Sequence, residues 1–478
     1  MRPHIVKIIA LQQWKVSFRN KAVPVLTLVI GLMLIMAAFS GWKIYKDQST
    51  IRTKYSQQVR EQWLNNPDKH PHRMAHYGYL VFRSKHPLSF FDFGMESFTG
   101  TSVFLEAHRQ NSVNFSEAGF STGILRFGEL HIAMILQLLL PLLIFFLGFN
   151  AVSAERESNT LKVLLCQGIS WPELLMGKTL GIAAVTLVLY LPVILTTILL
   201  WLLLSGFNIS VDDSIRLILL LITYLLYFMI CALAAVMVSA LSRTSKGSLI
   251  ALTGIWITLM IVLPRAIQAL GAHQYPTPSR LAFETAVEED LVKAGDSHNP
   301  NDPHYAAIKD SLLRTYKVDS VQQLPFNYGG FIMAEGERIS ADIYKRHQYD
   351  LIRTYESQNN FARYAAFADP YIAVKNFSMA LAGTNFASYT DFQDQVEDFR
   401  YKLAQRMNQL QMKLISNDKH GSQHISHEHW AEMPDFSYTF RKTGAIFRHE
   451  ALSIAAMLCW ATVLLILLFT ITKKFRAL

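Results

Sequence analysis

Residues 155–168 read ERESNTLKVLLCQG and lie between two apolar runs, each long enough to cross a membrane. We expect Thr160 to cap a short helix, because a threonine hydroxyl can accept a hydrogen bond from a free N–H at a helix start. Gly168 is the expected stop, since glycine readily adopts the left-handed conformation that ends helices. Three leucines have helical spacing and share one face: Leu161, Leu164 and Leu165.

A second helix start follows immediately. Ser170 and Glu173 have the spacing of a capping box, and Pro172 occupies the first turn, where its missing N–H costs nothing. The segment is too polar to remain in lipid and too apolar to be a simple linker. We therefore expect a helix that lies across the mouth of a bundle of membrane helices. The alternative is an interfacial helix that rests on the lipid surface.

Composition predicts a polytopic membrane protein. Of the 478 residues, 51% are hydrophobic, and the mean hydropathy is +0.21. The net charge of +9 is modest, and the basic residues lie largely beside apolar runs, so they indicate membrane orientation and not a nucleic-acid partner. The cysteines lie in or beside expected spans, so the polar segments are expected to fold without disulfides: Cys166, Cys231 and Cys459.

The fold class we expect is an all-α polytopic membrane protein. Its six transmembrane helices are predicted at residues 22–44, 129–153, 173–204, 214–241, 248–267 and 449–472. An amphipathic elbow helix, the connections and a tail are predicted at residues 1–21, 154–172, 205–213, 242–247 and 473–478. Two extracytoplasmic, mainly helical domains are predicted at 45–128 and 268–448. A cleavable signal peptide competes for the first apolar run, but no convincing cleavage site follows it.

Basic residues in the connection at 242–247 and in the tail place both termini in the cytoplasm under the positive-inside rule. The expected location is therefore the inner, cytoplasmic membrane. Pro141 and Pro192 are expected to kink the second and third spans. The fourth span carries small residues on one face, suited to close packing within the chain or to a dimer seam: Cys231, Ala235 and Ser239.

The pattern E-R-E-x-x-T-L-x-x-L-L at residues 155–165, followed by Gly177-Lys178, resembles the loop between the second and third spans of type-2 ABC transporter permeases. In that family the loop forms a cytoplasmic coupling helix, which docks into a groove of a separate ATPase subunit. Asn159 stands where the family usually has glycine. The resemblance assigns ATPase coupling to eight residues: Glu155, Arg156, Glu157, Thr160, Leu161, Leu164, Leu165 and Gly168.

These residues carry two specific expectations. The leucine face is expected to dock into the ATPase, because a buried leucine contributes about 1.5–3 kcal/mol when it leaves water. Glu157 is expected to favour the positive end of the helix that follows it and to pair with an arginine of the ATPase. Three further stretches resemble a permease subfamily known mainly as a domain of unknown function: His76–Phe82, Gly100–Asn111 and Tyr371–Thr384.

The sequence offers no energy source of its own. The middle of each predicted span lacks Asp, Glu, Lys and Arg, whereas ion-coupled carriers usually keep ionisable groups there. Gly177-Lys178-Thr179 imitates the end of a phosphate-binding loop, but Pro172 occupies the position of its first glycine. No cofactor is expected on this chain. ATP and Mg²⁺ are expected on a partner ATPase.

Histidines cluster between residues 420 and 429. If this stretch were helical, His420, His424 and His427 would share a face, and neutral imidazole is a common ligand for zinc and copper. An exposed loop is the alternative, because glycine and serine interrupt the cluster. A zincin motif is excluded, since Ala431 stands where its second histidine is required, and no catalytic site is predicted.

These patterns together predict the permease subunit of an ATP-driven ABC transporter. The expected partners are an ABC ATPase, a second permease subunit in a homo- or heterodimer, and membrane lipids. Export is the direction that the resemblance implies. The alternative is a complex that performs mechanical or assembly work through its extracytoplasmic domains, and a scaffold without an energy source is a third class. The sequence does not choose between lipid, peptide, drug and metal as the substrate.

Overall fold

The computed structural model describes residues 1–110, 130–299, 301–418 and 420–471, and most of these are helical. Within them, six helical stretches are long and apolar enough to cross a membrane, and we number them as the first to sixth spans: Ala22–Leu64, Ile132–Glu157, Trp171–Leu204, Val211–Leu241, Ser245–Gln274 and Ala451–Thr470. The prediction of an all-α polytopic membrane protein is confirmed.

The first span continues far beyond a membrane. Its helix Ala22–Leu64 has 43 residues, which at 1.5 Å per residue makes about 65 Å, roughly twice the thickness of a bilayer core. The predicted boundary after residue 44 therefore lies inside an unbroken helix. Residues 43–64 are rich in Lys, Gln, Arg and Glu, which favour helix in water as well. Trp63 anchors the far end, where its buried indole N–H donates to the Trp430 carbonyl at 3.0 Å.

The second and fifth spans are built from shorter helices, each with a π-helical turn ahead of a proline. The helices of the second span are Ile132–Met134, Leu140–Gly148 and Ser153–Glu157, with the π turn Ile135–Leu139. Those of the fifth are Ser245–Ile257 and Leu263–Gln274, with the π turn Thr258–Val262. Proline lacks an N–H, so the carbonyl four residues earlier loses its helical partner. For Pro141 this carbonyl is that of Gln137, to which the Tyr227 hydroxyl donates at 3.1 Å. Pro192 lies inside an unbroken helix.

A helix at the N-terminus, Pro3–Arg19, packs along the third span. Two glycines of the third span allow this contact, because a Cβ added at Gly177 would lie 2.6 Å from the Ile9 Cβ. A Cβ added at Gly181 would lie 2.6 Å from the Gln13 Cβ. The two glycines are four residues apart and therefore lie on one face of the helix. Their spacing is that of the small-residue motif by which membrane helices approach closely.

Two segments lie at the far end of helix Ala22–Leu64: one between the first and second spans, and one between the fifth and sixth. Together they form a large extramembrane body. Its helices are Pro71–Ala75, Glu96–Thr99, Arg280–Ala294, Pro303–Tyr316, Tyr328–Ala365, Pro370–Ala382, Phe386–Leu414 and Thr443–His449, and its short 3-10 turns are Pro87–Phe90, Val321–Gln323 and His427–Glu432. It also contains one antiparallel hairpin, in which Tyr79–Phe82 pairs with Ser102–Leu105. The hairpin was not predicted, and it is formed by two of the stretches that resemble the permease subfamily.

The two predicted extracytoplasmic domains share one hydrophobic core. Its buried residues come from both segments and include Trp63, Met74, Val81, Phe392, Met407 and Trp430. The separation into two domains is therefore corrected, because each segment covers apolar side chains of the other. Residues 111–128 of the first predicted domain lie outside the described residues.

One helix of the second segment belongs to the core of the span bundle. Helix Pro370–Ala382 packs against the fourth and sixth spans, and most of its side chains are buried with theirs. At 13 residues it is too short to cross a bilayer, so hydropathy over a span-length window does not identify it. The first span runs from the bundle into the extramembrane body, and the end of helix Pro370–Ala382 is bonded to the body where Arg83 donates to the Gly383 carbonyl at 2.8 Å. The two parts are therefore joined at two separate places.

Candidate functional site

The segment predicted to couple the chain to an ATPase forms two short helices, Ser153–Glu157 and Thr160–Cys166. Asn159 separates them in a left-handed conformation, with φ of 59°, which asparagine adopts more readily than most residues. Thr160 is therefore not the cap that we predicted: it is the first residue of the second helix, and its hydroxyl donates to the Glu155 carbonyl at 3.2 Å. Glycine also favours this left-handed conformation. The turn therefore explains why Asn159 can stand at a position where glycine was expected.

Gly168 ends the second helix as predicted. Its φ is 81°, and the N–H of Ile169 donates to the Leu164 carbonyl at 3.4 Å, closing a Schellman motif. The predicted capping box at the next helix start is also present, because Glu173 accepts from the N–H of Ser170 at 3.0 Å.

The three leucines share one face, but this face points into the bundle. Leu161 is only 3% exposed and belongs to the apolar core of the spans, and Leu164 and Leu165 pack against that core. Leu161 is therefore closed to a partner, whereas Leu164 and Leu165 are half-buried. The exposed strip of the helix consists instead of Lys162, Val163, Cys166 and Gln167, which we call the outer strip. Val163 is its most apolar member and is 55% exposed.

The three charged residues ahead of this helix each bind a different span. Glu155 forms an ion pair with Lys178 of the third span, and the Lys178 side chain is only 7% exposed. Arg156 donates to the carbonyls of Ala240, at 2.7 Å, and Ser242, at the C-terminal end of the fourth span. A cation is favourable there because the last carbonyls of a helix carry partial negative charge and lack helical partners.

Glu157 binds the start of the fifth span. Its carboxylate accepts from the N–H of Ser245 at 3.1 Å and from the Ser245 hydroxyl at 2.6 Å. This placement corrects the expectation that Glu157 favours the helix following it in sequence, although the physical reason is the same attraction of an anion to a helix N-terminus. Consecutive helical residues point about 100° apart, so three neighbours can reach three helices. We call Glu155, Arg156 and Glu157 the charged clamp.

Two residues to which the sequence analysis gave no part in the coupling segment complete the arrangement. Ser239 of the fourth span accepts from the N–H groups of Val152 and Ser153, at 3.0 and 3.1 Å, where the second span breaks into helix Ser153–Glu157. Ser239, Cys231 and Ala235 are all buried by this chain alone, so the small-residue face serves packing within the chain. The signal for Ser239 was present in its spacing, but its hydrogen bonds could not be predicted.

Arg2 is the second missed residue. Its side chain lies 3.0 and 2.9 Å from the carboxylate of Glu173 and also donates to the Gly168 carbonyl. It therefore fastens the N-terminal helix to the end of the coupling segment and to the start of the third span. A single basic residue at a chain start forms no pattern that sequence analysis can interpret. Lys178 did carry a signal, because a lysine within an apolar run needs a carboxylate partner.

The predicted histidine group is not assembled as expected. His420, His424 and His427 are exposed, and the described residues between 416 and 426 form bends and a single β-bridge instead of a helix. His427 instead lies 2.9 Å from Asp68 of the other extramembrane segment. The helical alignment that would have placed three imidazoles on one face is therefore wrong.

Comparison with known families matches two consecutive parts of the chain. Residues 105–267 match the model of the ABC-2 family transporter proteins, and this range contains the charged clamp, the second to fourth spans and most of the fifth. Over this range the chain is similar to the ABC-2 transporter permeases. Residues 280–439 match DUF3526, a domain of unknown function, which covers most of the second extramembrane segment. No curated protein matches the sequence at a significant level.

The match confirms the resemblance on which the permease interpretation rested. Together with the six apolar spans it supports a multi-pass membrane subunit of an ABC transporter, and it implies partnership with an ABC ATPase. The resemblance of parts of the extramembrane segments to a domain of unknown function is likewise confirmed for residues 280–439.

Proposed function

We propose that this permease is driven by a separate ATPase subunit, which holds ATP and Mg²⁺ and docks on the outer strip of helix Thr160–Cys166. The observation that supports this proposal is the charged clamp. Glu155, Arg156 and Glu157 tie the docking helix to the third, fourth and fifth spans, so a displacement of this helix must move three spans together. Arg2 adds the N-terminal helix to the same connection.

The proposed work is export of a substrate by a pair of permease subunits, with both termini and the charged clamp in the cytoplasm. In this orientation the extramembrane body lies outside. Cysteines placed at the exposed positions Ser84 and Ser311 are then expected to react with an impermeant thiol reagent from outside the cell. Reaction of either cysteine only after the inner face is opened would reverse the orientation.

The clamp itself is tested by replacing Arg156 with alanine in the complete complex with the ATPase. The variant loses both hydrogen bonds to the end of the fourth span, while the outer strip remains intact. We expect the ATPase to bind as before and ATP turnover in reconstituted membranes to fall at least tenfold. Arg243→Ala is the matched control, because it removes the same charge from an exposed position on the neighbouring loop. Equal turnover in both variants would contradict the proposal.

A second function is supported by the double connection between bundle and body. Helix Ala22–Leu64 belongs both to the bundle core and to the core of the extramembrane body. Helix Pro370–Ala382 belongs to the bundle core, and the Gly383 carbonyl that follows it accepts from Arg83 of the body at 2.8 Å, so motion of the spans reaches the body directly. The complex would then perform mechanical work on an external partner without moving a substrate across the membrane. An ATP-dependent change in spin-label distances within the body, without transport, favours this function over export.

A further inference from the structure

Three histidines from distant parts of the chain meet at one place in the extramembrane body. His72 lies on helix Pro71–Ala75, His108 follows the strand Ser102–Leu105, and His298 lies in the loop after helix Arg280–Ala294. One ring nitrogen of each lies within 4.8 Å of the others. The ring centres are 5.7 Å apart for His72 and His108 and 5.2 Å apart for His108 and His298.

His108 is held in position by a buried carboxylate. Its backbone is in the left-handed region, with φ of 61°, and its N–H donates to Glu337 at 2.8 Å. Its Nδ1 lies 3.2 Å from the same carboxylate. Glu337 is fully buried and is itself fixed by Arg400 at 2.7 Å. A carboxylate on Nδ1 fixes the tautomer and turns the lone pair of Nε2 toward the other histidines.

Two ring nitrogens of the group lack hydrogen-bond partners within the part of the chain that the structure describes. His108 Nε2 and His72 Nδ1 are both buried, and neither accepts a hydrogen bond from the described residues. Buried polar atoms are normally satisfied, so two unpartnered ring nitrogens within one histidine group point to a ligand that the group can bind.

His298 completes the set from the opposite segment. Its Nδ1 lies 3.4 Å from Asp296, so a second carboxylate stands behind a ligand of the group. Gly336 allows the loop of His298 to approach, because a Cβ added there would lie 2.6 Å from the Ser297 hydroxyl. This glycine precedes Glu337, so one stretch of helix Tyr328–Ala365 accommodates the His298 loop and orients His108.

We propose that His72, His108 and His298 form a binding site for a divalent transition metal, with zinc as the first candidate. Imidazole is a preferred ligand of zinc, copper and nickel, and carboxylates behind metal-binding histidines are a recurrent feature of such sites. In a tetrahedral zinc site the Zn–N bonds are about 2.0–2.1 Å, which places the nitrogens roughly 3.3 Å apart. Small ring rotations therefore bring the three nitrogens to binding distance. His76, whose ring centre is 4.7 Å from that of His72, borders the site.

Such a metal would join the two extramembrane segments. His72 and His108 precede the second span, whereas His298 follows the fifth, so the ion would bridge parts of the sequence that four spans separate. A ligand that binds only the folded state raises the melting temperature, and the stabilisation grows with the logarithm of the ligand's excess over the dissociation constant. The inference does not depend on the ATPase or on the direction of transport, so it can be tested on the permease alone.

The experiment uses the full chain, purified in detergent without a histidine tag and stripped with a chelator. Zinc chloride is added, unbound metal is removed, and bound zinc is measured together with the melting temperature. We expect one zinc per chain and a higher melting temperature. Replacing His298 by alanine is expected to weaken binding at least tenfold, and since this side chain is half exposed, the fold is retained. His72→Ala is expected to have the same effect on bound zinc.

The matched control replaces His420 and His424, which are exposed histidines of the same body outside the group. This double variant is expected to keep the zinc and the shift in melting temperature. Absence of bound zinc in the unaltered chain would overturn the inference. Equal binding by the His298→Ala and His420→Ala/His424→Ala variants would overturn it as well, because the metal would then be held elsewhere.

Discussion

Lys178 and Glu155 show what a buried ion pair contributes at the scale of single residues. Their side chains are 7% and 21% exposed, so either charge left alone would remain largely out of water. Replacing Glu155 by leucine is expected to destabilise the protein by roughly 3–5 kcal/mol, the usual cost of breaking a buried pair. Thermal unfolding in detergent measures this effect.

The double variant Glu155→Leu/Lys178→Met separates stability from coupling. With both charges removed, most of the lost stability is expected to return, because no uncompensated charge remains. ATP turnover is expected to be lower than in the unaltered protein for the single and the double variant alike. In both, the link between the proposed docking helix and the third span is missing. Asp398→Leu breaks the exposed pair with Lys402 and serves as the control, with a loss below about 1 kcal/mol. A double variant as unstable as Glu155→Leu would contradict the explanation.

Asp369 is a buried carboxyl group whose effect on the stability of the folded state depends on pH. One of its oxygens accepts from the N–H of Tyr371 at 2.9 Å, and the other is buried without a partner among the described residues. Burial raises the pKa of Asp369 to about 7, and the hydrogen bond from the Tyr371 N–H opposes this only in part. Tyr227 and Cys231 are the titratable neighbours on the fourth span.

A raised carboxyl pKa means that the folded state prefers the neutral form. Stability is then greatest at low pH and falls as the pH rises from the unfolded pKa of about 4 toward 7. Asp369→Asn keeps an oxygen for the helix cap and carries no charge. We expect it to melt at a higher temperature than the unaltered protein at pH 8 but not at pH 5. Equal melting temperatures at pH 8 would show that Asp369 is not buried as described.

Single residues were the least predictable level of this protein. Gly168 and the capping box of Ser170 and Glu173 were predicted correctly, because local backbone chemistry decides both. The partners of Glu157 and Arg156 were not, because they lie more than 80 positions away in sequence. The histidines illustrate the same limit: the sequence drew attention to a dense local cluster, whereas His72, His108 and His298 meet only through the fold.

At the scale of elements, the contact between the N-terminal helix and the third span depends on two glycines. Gly177→Ala/Gly181→Ala adds two methyl groups that would lie 2.6 Å from Ile9 and Gln13, so the helices must move apart. Overpacking of this kind costs about 1–3 kcal/mol, and we expect a lower melting temperature together with reduced ATP turnover.

Gly31→Ala is the control for this pair, because nothing lies within 4 Å of a Cβ added at Gly31 in the first span. There the substitution is expected to leave the melting temperature unchanged or to raise it, since alanine favours helix over glycine by about 1 kcal/mol. The account of the contact fails if the Gly177/Gly181 variant melts like the control.

The spans were predictable as elements, and their limits were not. Hydropathy identifies six long apolar stretches because lipid requires each to be continuous. Hydropathy does not show that helix Ala22–Leu64 continues into water. The end of a polar helix is set by its capping residues, and here the first capping turn follows Leu64. Helix Pro370–Ala382 was assigned to the polar segments because its burial depends on neighbouring spans.

At the scale of the whole molecule, the charged clamp and the extramembrane body lie at opposite ends of the bundle. The charged clamp gathers the second to fifth spans at one end, and at the other the first span and the end of helix Pro370–Ala382 connect the bundle core to the body. A displacement at the clamp therefore has a continuous path of packed helices through the molecule. The proposed metal would stiffen the body that receives this motion.

The central claim is that an ATPase docks on the outer strip, and the native thiol of Cys166 reports on it directly. Cys166 is exposed on that strip, Cys231 is buried, and Cys459 can be replaced by serine. The measurement is the rate at which a water-soluble maleimide modifies Cys166 in the permease alone and in complex with its ATPase, with Ser84→Cys on the extramembrane body as the reference thiol. We predict at least tenfold slower modification of Cys166 in the complex and an unchanged rate at position 84. Equal rates at Cys166 with and without the ATPase would contradict docking at this helix.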